Sequence, residues 1–175
     1  MLKLIAMATR LMAVSPAFAQ SAGKRTGLNS LTRTSLSTAA FVKEAAISDM
    51  FETQSSELAA IRANEQTRMF AAKMNEDHQK SSSELAMLVK PHFAQTPIPS
   101  NMDSSHQKML ATLKGLQADA FTRRYQEYQV TAHKDAVSLF RRYADGGDDA
   151  QLREWAKRML PILQEHLKMA QSLGR

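Results

Sequence analysis

Three of the five histidines in this 175-residue chain, His78, His133 and His166, fall on or beside stretches of helical apolar periodicity, while His92 and His106 fall in a loop and short-helix region between them. Imidazoles turned into a helical core point to two kinds of chemistry. With a carboxylate they can ligate a transition metal such as Fe, Zn or Cu. Alternatively a carboxylate orients each ring and a tyrosine hydroxyl satisfies another, giving a buried structural network. The residues placed for either are Asp77, beside His78, together with Glu52 and Tyr125 on neighbouring apolar stripes. A di-iron carboxylate centre in a four-helix bundle takes a Glu from each of two helices and a Glu-x-x-His pair from each of the others. Here Asn75, Val130 and Leu163 stand three residues before the histidines, and none is a carboxylate. The chain argues against that centre.

Other chemistries are excluded more simply. With no cysteine there is no disulfide, Fe–S cluster, thiol nucleophile or cysteine-linked lipid. No glycine-rich phosphate loop or serine nucleophile elbow occurs. The methionines are scattered without a short repeat, which suits core filling better than thioether ligation of copper. The net charge of +6 suggests nucleic acid until it is mapped. Lys3, Arg10, Lys24, Arg25 and Arg33 all precede the first acidic residue, Glu44, and from Phe41 onward 18 basic residues face 17 acidic ones. A nucleic-acid footprint needs basic residues clustered on the folded surface, so no nucleic-acid partner is expected.

Long helices must carry the candidate groups. Phe121, Tyr125, Tyr128, Ala132, Ala136, Leu139, Phe140 and Tyr143 recur at three- and four-residue steps, as do Leu152, Trp155, Ala156, Met159, Leu163, His166 and Ala170. Between them "DGGDD" offers Gly146 and Gly147 to end one helix at positive φ, and Asp148 to cap the next with Gln151 three residues on. Pro161 lies within the second stripe, whose register continues past it, so one kinked helix is expected. Upstream, Phe41, Ala45, Ser48, Glu52, Ser55 and Ala59 mark a first helix with Thr38 as N-cap. Asn64 begins a second, with Phe70, Met74, Asp77, His78, Ser81, Leu85 and Leu88 inward and Pro91 at its end. Pro91, Pro97 and Pro99 keep the next stretch from being regular helix, and Asp103 then caps a short helix that Gly115 closes.

That long connection sets the topology. A second helix of roughly 26 residues is ~39 Å long, and the stretch from Pro91 to Ala118 is enough to return along it. The third long helix then runs parallel to the second. The expected fold is all-α: a ferritin-like four-helix bundle of two antiparallel hairpins joined by a long crossover containing a short helix. Counting from helix starts, His78 and His133 should be level, with Asp77 beside them. Counting outward from Gly146, His166 should lie about six residues, ~9 Å, away from His133 and nearer Glu52, Tyr125 and Tyr128. Two polar layers are expected instead of one three-histidine cage.

The segments "FVKEAAISDMFE", "FAAKMNEDHQKSSSEL", "AFTRRYQEYQVTAHKDAVSLF" and "MLPILQEHLKMAQSL" together resemble the exported bacterial domain-of-unknown-function 4142 family, a ferritin-like group. The likeness spans about Phe41 to Leu173. It implies an exported helical bundle and no particular activity, with Asp77, His78, Tyr125, His133, Pro161 and His166 at matching positions. Two departures stand out: Thr122 where an acidic residue is common, and Ser48 with Asp49 where small residues are common. The N-terminus agrees with export. Residues 1–19 carry Lys3, an apolar run interrupted by Arg10 and "AFA" at Ala17 to Ala19, the pattern of a cleaved signal peptide leading to the periplasm or the exterior. Residues 20–40 read as a Ser/Thr-rich flexible lead-in, and residues 41–173 as the bundle domain. No other stretch has the ~20 apolar residues a membrane span needs. Homo-oligomerisation is left open. The sequence thus favours a non-enzymatic binding or interaction protein of the bacterial envelope, the alternative being a metal-binding protein for storage, sensing or oxidant defence that uses His78, His133, Asp77, His166 and Glu52.

Overall fold

The computed structural model describes residues 36–92 and 95–174, apart from the His92 side chain. The expected leader and most of the lead-in lie outside the described residues. Among the described residues five helices occur in order: α1 Thr38–Arg62, α2 Glu65–His92, α3 Ser104–Gly115, α4 Ala118–Gly146 and α5 Ala150–Ser172.

Short polar residues start these helices by accepting the N–H groups that no preceding carbonyl can serve. Asn64 Oδ1 takes the Thr67 N–H at 3.0 Å and Asp103 Oδ1 the His106 N–H at 2.9 Å, both as the sequence suggests. Two other ends differ from expectation. Ser37, not Thr38, caps α1 through the Ala40 N–H. Asp149, not Asp148, caps α5 through the Leu152 N–H at 2.8 Å. The displaced pair bond each other instead: the Thr38 N–H donates to Asp148 Oδ1 at 2.9 Å, the Thr38 hydroxyl donates to the same oxygen, and that hydroxyl lies 2.6 Å from the Tyr143 hydroxyl. Asp148 thereby places a carboxylate at the positive end of the α1 dipole.

The glycine expectation is corrected too. Gly147 has φ −60°, and no glycine among the described residues takes a positive φ. What position 147 requires is room, because a Cβ there would lie 2.6 Å from the ring of Tyr143. Pro161 sits within α5, which continues through it as one helix. Pro91 sits in the last turn of α2 instead of beyond it, where a missing N–H costs one bond at a fraying end.

Contacts between distant residues fix the directions. Thr38, at the start of α1, meets the α4–α5 turn, while the Ser56 hydroxyl, late in α1, lies 2.9 Å from that of Tyr125, early in α4. Hence α1 and α4 are antiparallel. Gln126 Nε2, also early in α4, donates to Thr67 Oγ1, at the start of α2, at 2.9 Å. So α2 and α4 run the same way, and the segment between them, with α3 laid over α1 and α4, is the returning crossover. Trp155 Nε1 donates to Glu84 at 3.0 Å across the α5–α2 seam.

The interior is divided along its length. Around the α4–α5 turn, Phe41, Leu85, Phe140, Tyr143, Trp155 and Leu163 form one apolar cluster. Toward the other end Phe51, Phe70, Met74, Phe121, Tyr125 and Leu173 form another. Each large apolar side chain so buried contributes about 1.5–3 kcal/mol. Between the two clusters every long helix changes from apolar to polar: Asp49 and Glu52 on α1, His78 and Ser81 on α2, Gln129 and His133 on α4, and His166 on α5, all buried.

Candidate metal centre

The three histidine rings of this belt meet one another. Ring centroids are 5.6 Å apart for His78 and His133, 5.6 Å for His78 and His166, and 5.4 Å for His133 and His166. The expected pair of layers is therefore overturned, and the reason is geometric. Because α4 continues through Gly146 and α5 begins only at Ala150, the midpoint of the hairpin is later than the glycines suggest. The offset between His133 and His166 falls to about three residues, or ~4.5 Å. Side chains then close it, since they lean toward the N-terminus of their own helix and these helices are antiparallel.

Each ring is held from behind by an acceptor, and this fixes its tautomer. His78 Nδ1 donates to Asp49 Oδ1 at 2.7 Å, His133 Nδ1 to the Gln129 carbonyl at 2.9 Å, and His166 Nε2 to Asp77 Oδ2 at 2.8 Å. Asp49 also accepts from the Ser81 and Ser82 hydroxyls at 2.7 and 3.0 Å, and Asp77 from Lys73 Nζ at 2.8 Å. The remaining nitrogens, His78 Nε2, His133 Nε2 and His166 Nδ1, are buried without a protein partner, as are both carboxylate oxygens of Glu52 and Oε1 of Gln129. One nitrogen from each ring lies within 4.8 Å of the other two, so some point is no more than about 2.8 Å from all three. Neutral imidazoles so oriented turn three lone pairs toward one another, in the same buried belt as the unpartnered Glu52 carboxyl. Acceptors alone cannot satisfy one another, and a buried polar group left unpaired costs about 1–3 kcal/mol. The belt calls for protons or a cation.

The electrostatics carry the same mark. Burial pushes the Glu52 carboxyl up to about 7, partly offset by His78. His133 and His166 are pulled down to about 4, by burial first and then by the other histidines. Burial also works against a charged His78, but the Asp49 carboxylate, with Glu52 and Asp77 beyond it, raises its pKa overall. Two rings thus keep their lone pairs free at neutral pH.

Of the residues singled out in the sequence, His78, His133, His166 and Glu52 share the belt. Asp77 does not lie between His78 and His133; it stands behind His166, 26% exposed at its side chain. Tyr125 is fully buried in the adjoining apolar cluster and pairs with Ser56, not with a histidine. His106 is bound to Asp103 at the start of α3, outside the belt. Sequence reasoning missed Asp49 and Gln129. Asp49 carried a signal, being three residues before Glu52 on one helical face.

Residues 23–173 match the family described as a domain of unknown function, DUF4142. The chain belongs to the DUF4142 family. No curated protein matches it. Among solved structures, this DUF4142 chain is similar to CopM in the Cu(II)-bound form, at 15% identity and a TM-score of 0.66 over 78% of this chain and 94% of that one. It is also similar to a Streptomyces coelicolor DUF305 protein described as secreted, at 11% identity and a TM-score of 0.64 over 77% and 89%. At such identities the likeness is one of fold, a helical bundle. No helix among the described residues of the DUF4142 chain is long and apolar enough to cross a membrane.

Proposed function

We propose that this protein is an exported metal-binding bundle that takes one divalent transition-metal ion on His78, His133 and His166, with Glu52 as a fourth ligand. The observation that carries the reading is the convergence of three buried imidazole nitrogens, each freed by an acceptor on the opposite side of its ring. Three nitrogens and one carboxylate oxygen suit Zn²⁺ or Cu²⁺, whose bonds to imidazole are about 2.0–2.1 Å for zinc. Reaching that distance asks the rings to close by under ~1 Å. Acceptors behind metal-bound imidazoles are the usual means of orienting them and raising their basicity.

Charge selects the class of ion. Asp49 and an ionised Glu52 leave two negative charges in the belt, while Asp77 is balanced by Lys73. A divalent cation brings the sum to zero, whereas a monovalent or trivalent ion leaves a net buried charge. The Cu(II) bound by CopM, a bundle of similar fold, supports a metal-binding role for this chain. The expected leader at residues 1–19 supports action outside the cytoplasm, where the protein would store or buffer the ion.

The test is elemental analysis of the chain purified without a histidine tag and exposed to equal amounts of Zn²⁺, Cu²⁺ and Co²⁺. One ion per chain is expected, lost in His78→Ala and in His133→Ala while the helical circular dichroism persists. Retention of no ion, or retention that survives both substitutions, sinks the proposal.

A further inference from the structure

An ion bound in the belt has to cross the helical wall, and the seams of that wall are unequal. The α1–α2 and α4–α5 hairpins pack closely, whereas α2 and α5 meet lightly. Along that light seam runs a groove of about 240 Å³ lined by Asp77, Lys80, Ser81, Glu84, Arg158, Met159 and Ile162. Two of these residues, one turn apart on α2, tie the groove to the belt: Asp77 Oδ2 accepts from His166 at 2.8 Å, and Ser81, itself in the belt, donates its hydroxyl to Asp49 at 2.7 Å. A larger groove of about 600 Å³ between α1, α3 and α4 includes no residue of the belt in its lining.

Asp77 spans the boundary. Its side chain is 26% exposed, while that of its partner His166 is 3% exposed. Both of its hydrogen bonds, from His166 and from Lys73, use Oδ2. Oδ1 is left for another cation. Lys73 is itself half exposed, at 51%, and held only within its own helix turn. An exposed ion pair of this kind is worth about 0–1 kcal/mol, so an arriving ion displaces it at little cost.

Resting on the metal reading above, we infer that the ion enters and leaves through the α2–α5 groove, with the Asp77 carboxylate as transit ligand between solvent and His166 and Lys73 as the displaceable group that occupies Asp77 between ions. Asp77 is then more than the acceptor that orients one ring. Its charge meets the ion first, while the charge-balanced pair with Lys73 keeps the mouth closed to water-borne anions and cations alike at rest.

The test separates rates from affinity, using Zn²⁺ and a chelating dye in stopped flow. Ile162→Trp places a large side chain in the groove at a position outside the belt. It should slow both uptake and release at least tenfold while changing Kd less than twofold, because a plug raises one barrier for both directions. Lys73→Ala, which removes the competing ammonium, should speed uptake. Asp77→Asn keeps an acceptor for His166 but loses the charge, and should slow uptake by more than it changes Kd. Uptake and release unchanged in Ile162→Trp, or an Asp77→Asn effect confined to Kd, overturns the route. Should Ile162→Trp not fold, Lys80→Trp on the same groove supplies the plug and is read by the same criterion. Absence of any Zn²⁺ binding by the unaltered chain would instead reject the metal reading itself, so the two failures are distinguishable.

Discussion

A carboxylate behind an imidazole does two separable things: it sets which nitrogen carries the proton, and it makes the other a better donor to a cation. Asp49 does both for His78, and its own position is fixed by hydroxyls from Ser81 and Ser82. Asp49→Asn retains an acceptor but not the charge, and should weaken Zn²⁺ binding about 10- to 100-fold, measured by competition with a chelating dye. An affinity unchanged by this substitution would leave Asp49 a packing residue only. The histidines are legible in the sequence, since helical periodicity shows which face a residue shares. It does not show height along the bundle. That depends on where each turn has its midpoint, and the two glycines point to a midpoint earlier than the true one. Asp49 is nonetheless within reach of simple arithmetic, because reflecting His78 through the turn at Ala63 and Asn64 lands on it.

At the scale of the helices, local signals hold where nothing competes with them. Asn64 and Asp103 cap as their sequences suggest, and Pro97 and Pro99 between α2 and α3, with Pro91 in the last turn of α2, correctly announce a crossover. They fail at the α4–α5 turn because a distant helix end recruits one of the two aspartates, a contact no local pattern reveals. Two predictions belong here. Tyr143 stacks on Phe41 with centroids 4.0 Å apart and lies 2.6 Å from the Thr38 hydroxyl, so its ring has nowhere to retreat from a new methyl at position 147. Gly147→Ala should therefore cost about 1–3 kcal/mol in urea denaturation, as overpacking does, although its φ would suit any residue. The second concerns acid. The Thr38 hydroxyl and N–H hold the Asp148 carboxyl below its ordinary 3.8. A carboxyl lowered on folding gives its full stabilisation above its unfolded pKa and loses it as pH falls through the folded one. The melting temperature of the unaltered chain should thus exceed that of Asp148→Asn at about pH 6, and the gap should shrink on acidification below about pH 4.

For the molecule as a whole, a ligand that binds only the folded state stabilises it by mass action. At a free Zn²⁺ concentration 100-fold above Kd the gain is about 2.7 kcal/mol. For a domain of this size that corresponds to a rise of roughly 5–10 °C in melting temperature, reversible by a chelator and absent in His133→Ala. A flat melting temperature across Zn²⁺ concentrations would contradict it. The division of the interior has a further consequence. Apolar side chains at three- and four-residue steps let neighbouring helices slide by a turn and still find grease against grease. The central polar belt forbids that slippage. Moving α2 by a turn would drive apolar side chains against imidazoles and part His78 from Asp49 and His166 from Asp77, and each buried polar group so left unpaired costs about 1–3 kcal/mol. The groups proposed to hold the ion thus also act as an alignment key, selecting one vertical setting of the four rods before any metal arrives.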